Sequence, residues 1–197
     1  MSGVDLKRAV FLDRDGVINV DHGYVSSWDK FEFLPGVPAA LWQLQSAGYD
    51  LVVVSNQSGI GRGLYTEHDL AVLNRRIHRC LLDDHGVEIA RFYHCPHHPT
   101  EALLKWRQQC HCRKPAPGMI EQACADLHID PSSSLMVGDK ASDMEAGQAA
   151  GVGWLFRVAP EASAKSVSSG VNRNEGLAVV EGLPDVARIV SKSLAQV

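Results

Sequence analysis

Short apolar runs alternate with longer segments of helical spacing along this chain, and this alternation constrains its fold more than any other feature. The apolar runs have the length of buried strands, and residues 51–54 form a β-branched run typical of a strand covered on both faces. Predicted strands cover residues 10–12, 51–54, 89–93, 135–137 and 152–156, and predicted helices cover residues 37–47, 66–86, 117–127, 143–150 and 183–194. Such alternation indicates parallel strands joined by helical crossovers. We therefore expect an α/β protein with a doubly wound, three-layer α/β/α Rossmann-like domain and a mostly parallel sheet.

Length and composition narrow the class of protein further. The 197 residues suit a single domain over residues 1–197, in which a stretch rich in alanine, serine, glycine and asparagine at about 159–176 predicts a loose connection before a C-terminal helix. A net charge of −4 without a basic stripe argues against a nucleic-acid partner. No run reaches the roughly 18 apolar residues of a membrane span, and the first residues lack the apolar core of a signal peptide. The odd number of cysteines, 5, indicates a reducing compartment. We expect a cytoplasmic monomer without a membrane partner.

Acidic side chains follow two of the predicted strands, at the sheet edge where doubly wound folds bind their ligands. Asp13 and Asp15 stand two residues apart at the end of the first strand, and strand alternation sends both to the same face. One carboxylate can attack an electrophilic phosphorus atom while the other gives and takes protons. Asp139 follows the fourth predicted strand, so it is the natural further ligand for a Mg²⁺ ion that neutralises a phosphoryl group.

Three more residues fit the same chemistry. Ser55 follows the second predicted strand and can donate a hydrogen bond to a phosphoryl oxygen. Lys114 supplies a full positive charge for the transition state. Asp143, four residues after Asp139, either caps its helix or orients the metal ligands through hydrogen bonds, and we prefer the second role.

Four segments resemble the motifs of the haloacid dehalogenase-like phosphohydrolases, in that family's order. They are Asp13-Arg14-Asp15-Gly16-Val17, then Ser55-Asn56-Gln57, then Lys114, and finally Gly138-Asp139-Lys140 with Asp143. The resemblance implies a Mg²⁺-dependent phosphatase that forms an aspartyl-phosphate on Asp13. It also implies that Asp15 acts as acid and base and binds the metal through its main-chain carbonyl. No insertion after the first or second motif is long enough for a separate cap domain, so we expect an open site covered only by loops.

Further segments resemble a subgroup of this family that hydrolyses sugar bisphosphates. These segments are residues 19–25, 55–60 and 112–115. The resemblance implies a small-molecule sugar phosphate as the partner. It implies substrate contacts from Asp21, His22, Gly23, Tyr24, Ser55, Asn56, Gln57, Ser58, Arg113, Lys114 and Lys140. A subgroup that hydrolyses histidinol phosphate shares the catalytic motifs and a similar metal-binding loop, and it is the alternative within enzymes. A zinc-stabilised binding module without turnover is the alternative outside enzymes, and the intact catalytic motifs argue against it.

A loop rich in cysteine and histidine, at about residues 95–112, has the spacing of a zinc site. Cys95-Pro96-His97 and Cys110-His111-Cys112 bracket a stretch without strong helical or strand periodicity. Three thiolates and one imidazole make a closed tetrahedral Zn²⁺ site, which indicates a structural role because no position is left open. The family pattern favours Cys95, His97, Cys110 and Cys112, while His98 and His111 stay possible on spacing alone.

Overall fold

The computed structural model describes residues 6–159 and 177–194, and within them it confirms a parallel α/β/α fold. The strands in these ranges are β1 (Ala9–Leu12), β2 (Asp50–Asn56), β3 (Ile89–Cys95), β4 (Leu135–Gly138), β5 (Trp154–Val158) and β6 (Leu177–Val180). The α-helices are α1 (Val37–Ser46), α2 (Ser58–Gly61), α3 (Glu67–His85), α4 (Gly118–Leu127), α5 (Ala141–Ala149) and α6 (Leu183–Leu194). The strands form one sheet in the order β3-β2-β1-β4-β5-β6, and each neighbouring pair is parallel. None of the helices in these ranges is both long and apolar enough to cross a membrane.

Strand β1 separates the core into two layers because its side chains alternate between the faces of the sheet. Val10 and Leu12 belong to a cluster with apolar residues of α1, α3 and α6, whereas Ala9 and Phe11 belong to a cluster with residues of α4 and α5. All four side chains are fully buried. A strand covered on both faces must be apolar at every position, which is why these strands can be recognised in the sequence as continuous runs.

Helix α3 shows how local sequence sets the ends of an element. Thr66 accepts a hydrogen bond from the Asp69 backbone N–H at 3.1 Å, and its own N–H donates to the Asp69 carboxylate at 2.8 Å. This reciprocal pair satisfies two backbone donors that the first turn of a helix leaves free. Gly86 ends the helix in the left-handed conformation, at φ 66°. The helix therefore lies within one residue, at each end, of the predicted 66–86.

The structure adds a strand and moves several element boundaries, two of them next to the candidate site residues. Strand β6 pairs with β5 at the edge of the sheet, whereas the sequence predicts no strand after residues 152–156. An edge strand has one partner, and Leu177 is 49% exposed, so this short run lacks the continuous burial that identifies the central strands. Strand β2 extends to Asn56, so Ser55 lies inside the strand, and α5 begins at Ala141, so Asp143 lies in its first turn. The predicted loose segment lies, after Ala159, outside the described residues.

The order of the strands creates the crevice in which the acidic residues meet. Strand order reverses between β1 and β4, and in doubly wound sheets a crevice forms outside the carboxyl ends of the strands at that point. Asp13 directly follows β1, and Asp139 directly follows β4. The fold therefore brings together two carboxylates that are far apart in the sequence.

Candidate active site

A buried lysine joins two buried carboxylates at the centre of the crevice. The ammonium of Lys114 lies 3.0 Å from Asp13 Oδ1 and 2.7 Å from Asp143 Oδ1, and it donates to the Val54 carbonyl at 2.7 Å. Lys114 is 3% exposed, Asp13 5% and Asp143 fully buried. Burial alone would lower the pKa of Lys114, but the two carboxylates outweigh it and raise that pKa above its usual value. Lys114 is therefore a permanent positive charge beside Asp13.

The loop that carries Lys114 is tied to strand β2 by one side chain. The Asn56 amide donates to the Lys114 carbonyl at 3.0 Å, and its oxygen accepts the Lys114 N–H at 3.1 Å. Such a pair of bonds fixes both the distance and the rotation of the loop relative to the strand. The motif at residues 55–57 therefore positions the lysine of the next motif in the sequence.

Three carboxylates form a cluster that could hold a cation. Asp13, Asp139 and Asp143 each offer one oxygen, and these oxygens lie within 4.8 Å of one another. Asp139 Oδ1 is buried and has no hydrogen-bond partner among the residues described here. Burial raises the pKa of Asp139 to about 6, with Lys140 opposing the shift and Asp13 adding to it. A cluster of hard oxygen donors with one buried oxygen unpaired fits a Mg²⁺ ion.

Gly16 allows the turn after β1 to approach this cluster. Its φ is +84°, which an L-residue with a side chain rarely adopts, and an added Cβ would lie 2.7 Å from Asp139 Oδ2. The first motif therefore needs glycine at this position both for its backbone conformation and for space.

The side chain of Asp15 lies apart from the carboxylate cluster. Its two oxygens accept hydrogen bonds from Arg14, Asn19 and Gln57, at 2.9–3.2 Å. Strand β1 ends at Leu12, so the alternation that predicts a common face for Asp13 and Asp15 no longer applies to the turn that follows. The sequence assigns no role to Arg14, although an arginine between two acids is a recognisable signal. Its side chain is 1% exposed and also donates to the Val25 carbonyl.

A cavity of about 490 Å³ lies over these residues. Of the residues predicted to contact substrate, it is lined by Asp21, Gly23, Tyr24, Asn56, Gln57, Ser58, Arg113, Lys114 and Lys140, together with Asp15. His22 and Ser55 do not line the cavity. His22 lies near Glu32 instead, and Ser55 is buried, with 4% exposure. The lining also includes residues that the sequence does not single out for substrate, namely Tyr65, His98, Pro99, Pro115 and Ser142.

The predicted zinc ligands come together in space. The sulfur atoms of Cys95, Cys110 and Cys112 lie 3.2–3.5 Å apart, and His97 Nδ1 lies 3.4 Å from Cys112 Sγ and 3.7 Å from Cys95 Sγ. The four ligand atoms are all within 4.8 Å of one another, so their donor set fits tetrahedral Zn²⁺.

The other two histidines of this loop have different partners. His98 Nδ1 accepts the Glu101 N–H at 3.0 Å, and His111 contacts the Glu121 carboxylate. Of the three histidines that spacing allows, the structure therefore places His97 with the thiols. The loop also reaches the cavity, which His98 and Pro99 line together with Arg113, and Arg113 donates to the carbonyl of His97 at 3.0 Å.

Comparison with known proteins gives consistent results. Residues 111–157 match the HAD-hydrolase-like family. The chain is 51% identical over 146 residues to D-glycero-β-D-manno-heptose-1,7-bisphosphate 7-phosphatase of Haemophilus ducreyi, a match that covers 74% of this chain and 80% of that protein. It is 52% identical over 145 residues to the enzyme of the same name from Escherichia coli K12, covering 74% of this chain and 75% of that one.

Solved structures agree with these sequence matches. The D,D-heptose 1,7-bisphosphate phosphatase of B. bronchiseptica, complexed with magnesium and phosphate, superposes with a TM-score of 0.78 at 32% identity over 94% of this chain and 99% of that one. The corresponding enzyme of Burkholderia thailandensis superposes with a TM-score of 0.61 at 31% identity over 92% of this chain and 97% of that one.

Proposed function

The chain belongs to the haloacid dehalogenase-like hydrolase family, and from this premise we propose that it removes the 7-phosphate of D-glycero-β-D-manno-heptose 1,7-bisphosphate. The observation that carries the proposal is the buried ion triad in which Lys114 lies beside Asp13, next to a cavity lined by further basic side chains. The identity of about half of the aligned residues to the enzymes of that name supports the choice of substrate. The product of this reaction would enter the synthesis of nucleotide-activated heptose for lipopolysaccharide core or related glycans. In this proposal the protein is a monomer and acts in the cytoplasm.

Asp13 is the nucleophile in this proposal. Its Oδ1 accepts the Arg14 N–H at 2.8 Å and the Lys114 ammonium at 3.0 Å, so Oδ2 is the oxygen left for attack on phosphorus. The attack forms an aspartyl-phosphate and splits a difficult hydrolysis into two steps. Lys114 stabilises the charge that develops on the phosphoryl oxygens, and its burial, at 3% exposure, limits the screening of its charge by water.

Asp15 moves the protons. It donates a proton to the sugar oxygen as the phosphorus–oxygen bond breaks, and then accepts a proton from the water that hydrolyses the aspartyl-phosphate. The Ser55 hydroxyl already accepts a bond from Gln57 at 2.8 Å, so its hydrogen is free to donate to a phosphoryl oxygen. Arg113 and Lys140 provide positive charge along the cavity for the rest of the bisphosphate.

Two metals fit the residues present. Asp13, Asp139 and the main-chain carbonyl of Asp15 would hold Mg²⁺, with Asp143 orienting this group through Lys114 and through the Lys140 N–H at 2.9 Å. Bound Mg²⁺ supplies Lewis-acid stabilisation of the phosphoryl charge. Cys95, His97, Cys110 and Cys112 would hold a structural Zn²⁺ that fixes the loop and, through the His97 carbonyl, Arg113.

Relative specificity constants test the proposal. We would measure kcat/KM for both anomers of the heptose bisphosphate, for fructose 1,6-bisphosphate and for histidinol phosphate, and identify the phosphate removed by phosphorus NMR. This constant is the right measure because it compares transition-state binding between substrates. We expect the highest value for the β anomer, which gives the similar enzymes their name, with loss of the 7-phosphate. Asp13→Asn, which keeps the shape of the side chain, serves as the inactive control. A preference for histidinol phosphate, or loss of the 1-phosphate, would contradict the proposal.

A further inference from the structure

A buried amide and a buried phenol lie behind the catalytic acids, and the mechanism above gives neither of them a role of its own. Gln57 is 2% exposed and Tyr65 is 8% exposed. Gln57 follows strand β2, directly before the short helix α2, and Tyr65 lies between α2 and α3. Both line the cavity, although neither carries a charge at neutral pH.

The Gln57 amide joins two groups of the catalytic site. Its nitrogen donates to Asp15 Oδ2 at 3.1 Å and to Ser55 Oγ at 2.8 Å. A primary amide has two N–H donors, so these two bonds use its whole donating capacity. One side chain thereby sets the position of Asp15 relative to the Ser55 hydroxyl, which the proposed mechanism places against the phosphoryl group.

Tyr65 determines which way this amide points. Its hydroxyl donates to Gln57 Oε1 at 2.5 Å. Burial raises the pKa of Tyr65 to about 12, so the phenol keeps its proton at neutral pH. With the oxygen of the amide held by Tyr65, the nitrogen faces Asp15. A rotated amide would instead place its oxygen against a carboxylate, with two acceptors facing each other.

The chain makes room for this phenol. An added Cβ on Gly59, in α2, would lie 2.2 Å from Tyr65 Cε1 and 3.0 Å from Tyr24 Cδ1. The ring of Tyr65 therefore rests against a backbone that only glycine allows at this distance. The contact holds the hydroxyl at the end of the ring in place over Gln57.

We propose that Gln57 and Tyr65 are positioning residues that hold Asp15 in line for proton transfer to the leaving sugar oxygen. The inference rests on the function proposed above and extends it. In that step a bond forms between Asp13 and phosphorus, the bond from phosphorus to the sugar oxygen breaks, and the Asp15 proton moves to that oxygen. Arg14 donates to both oxygens of Asp15, Asn19 adds a bond to Oδ1, and Gln57 adds a bond to Oδ2, so the carboxyl group is held at both oxygens.

A comparison of leaving groups tests this inference. The variant is Tyr65→Phe, which removes the hydroxyl and keeps the ring. We would measure kcat/KM for the sugar bisphosphate and for 4-nitrophenyl phosphate, since this constant includes departure of the leaving group. An alkoxide needs the proton of Asp15, whereas nitrophenolate leaves without it. We expect a loss of about five- to tenfold for the sugar, the size of one lost hydrogen bond, and a loss of less than about twofold for the aryl ester.

A second background separates positioning from a general structural effect. In Asp15→Asn enzyme the acid is absent, so adding Tyr65→Phe should not lower the sugar reaction further. Tyr93→Phe is the matched control, because the Tyr93 hydroxyl donates to Asp126 at 2.9 Å, away from the cavity. It should leave both reactions unchanged. Gln57→Met is the second variant, to be used if Tyr65→Phe does not fold. Because Gln57 also bonds to Ser55, this variant should lower both reactions, and the sugar reaction should lose several-fold more.

Equal losses for the sugar and the aryl ester would overturn the inference. So would a further loss when Tyr65→Phe is added to Asp15→Asn. Failure of the proposed function would look different, because it would appear in the wild-type enzyme as a preference for another substrate. The leaving-group comparison could then be made with whichever alkyl phosphate the wild-type enzyme prefers.

Discussion

Replacing Asp139 by asparagine should stabilise the metal-free protein at neutral pH, although it removes a proposed metal ligand. Burial raises the pKa of Asp139 from 3.8 to about 6, with Lys140 opposing and Asp13 and Asp143 adding to the shift. Its Oδ1 is buried without a hydrogen-bond partner among the described residues. The ionised carboxylate is therefore less stable in the folded chain than in the unfolded chain, and a neutral amide of the same shape avoids that cost.

The size and pH dependence of the effect follow from proton binding. Below pH 3.8 Asp139 is protonated in both states, so it does not affect stability. As pH rises from 3.8 to about 6, the folded chain keeps a proton that the unfolded chain has lost, and the free energy of unfolding falls. A pKa shift of about two units, at roughly 1.4 kcal/mol each, sets an upper bound of about 3 kcal/mol, since solvent reaches the Asp139 side chain, which is 25% exposed, and screens part of the effect. In a domain of this size that corresponds to about 6–12 °C in Tm.

Thermal unfolding of wild type and Asp139→Asn between pH 4 and pH 8 provides the assay. With a chelator present, the variant should have the higher Tm at pH 8, and the difference should vanish towards pH 4. Mg²⁺ at about 100 times its Kd should add about 2.7 kcal/mol to the wild type and little to the variant.

Asp126→Asn is the control of opposite sign, because hydrogen bonds from Gln122 and Tyr93 lower the pKa of Asp126. That group stabilises the fold above its unfolded pKa, so its removal should lower Tm slightly at pH 8. The reasoning on Asp139 would be refuted if chelated Asp139→Asn were no more stable than wild type at pH 8. A difference that stayed constant with pH would refute it equally.

Three further perturbations address other parts of the site. Lys114→Met should lower kcat by about 10²-fold or more and destabilise the protein by about 3–5 kcal/mol, because two buried carboxylates lose their counter-ion. Steady-state kinetics and urea unfolding measure the two effects, and a stable, active variant would contradict the prediction. Gly16→Ala should lower the free energy of unfolding by about 1 kcal/mol or more and reduce the Mg²⁺-induced rise in Tm, because the added Cβ would contact Asp139. An unchanged rise in Tm would argue against the metal site. Cys110→Ala should lower the Tm and the zinc content, which mass spectrometry measures, and it should reduce kcat/KM because Arg113 is displaced. Full zinc occupancy in this variant would show that Cys110 is not a zinc ligand.

The sequence placed candidate site residues at the correct edge of the sheet where they directly follow central strands. Asp13 and Asp139 end two such strands, and the parallel fold requires their carboxyl ends to share one edge of the sheet. Local alternation was a weaker guide. It predicts a common face for Asp13 and Asp15, but the chain leaves the strand at Leu12, and the turn directs the Asp15 side chain towards Arg14.

Two alternatives that the sequence left open depend on contacts between distant segments. Spacing alone allows His97, His98 or His111 beside the three thiols, and the structure places His97 with them. Asp143 accepts the Lys140 N–H at the start of α5 and also contacts the Lys114 ammonium, so its contacts extend beyond helix capping. Each outcome depends on where another segment lies.

The sequence by itself determined the class of fold and the family, and it supplied the residues that we propose as the reacting groups. Continuous apolar runs predict buried parallel strands, and short motifs carry the carboxylates and the lysine, because both signals are local. The tertiary structure alone decided the hydrogen-bond network around Asp15, where Gln57 and Tyr65 meet Arg14 and Asn19. It also added strand β6 at the edge of the sheet. Side-chain orientation in a turn and pairing at a sheet edge depend on packing between distant segments, and local sequence patterns do not encode that packing.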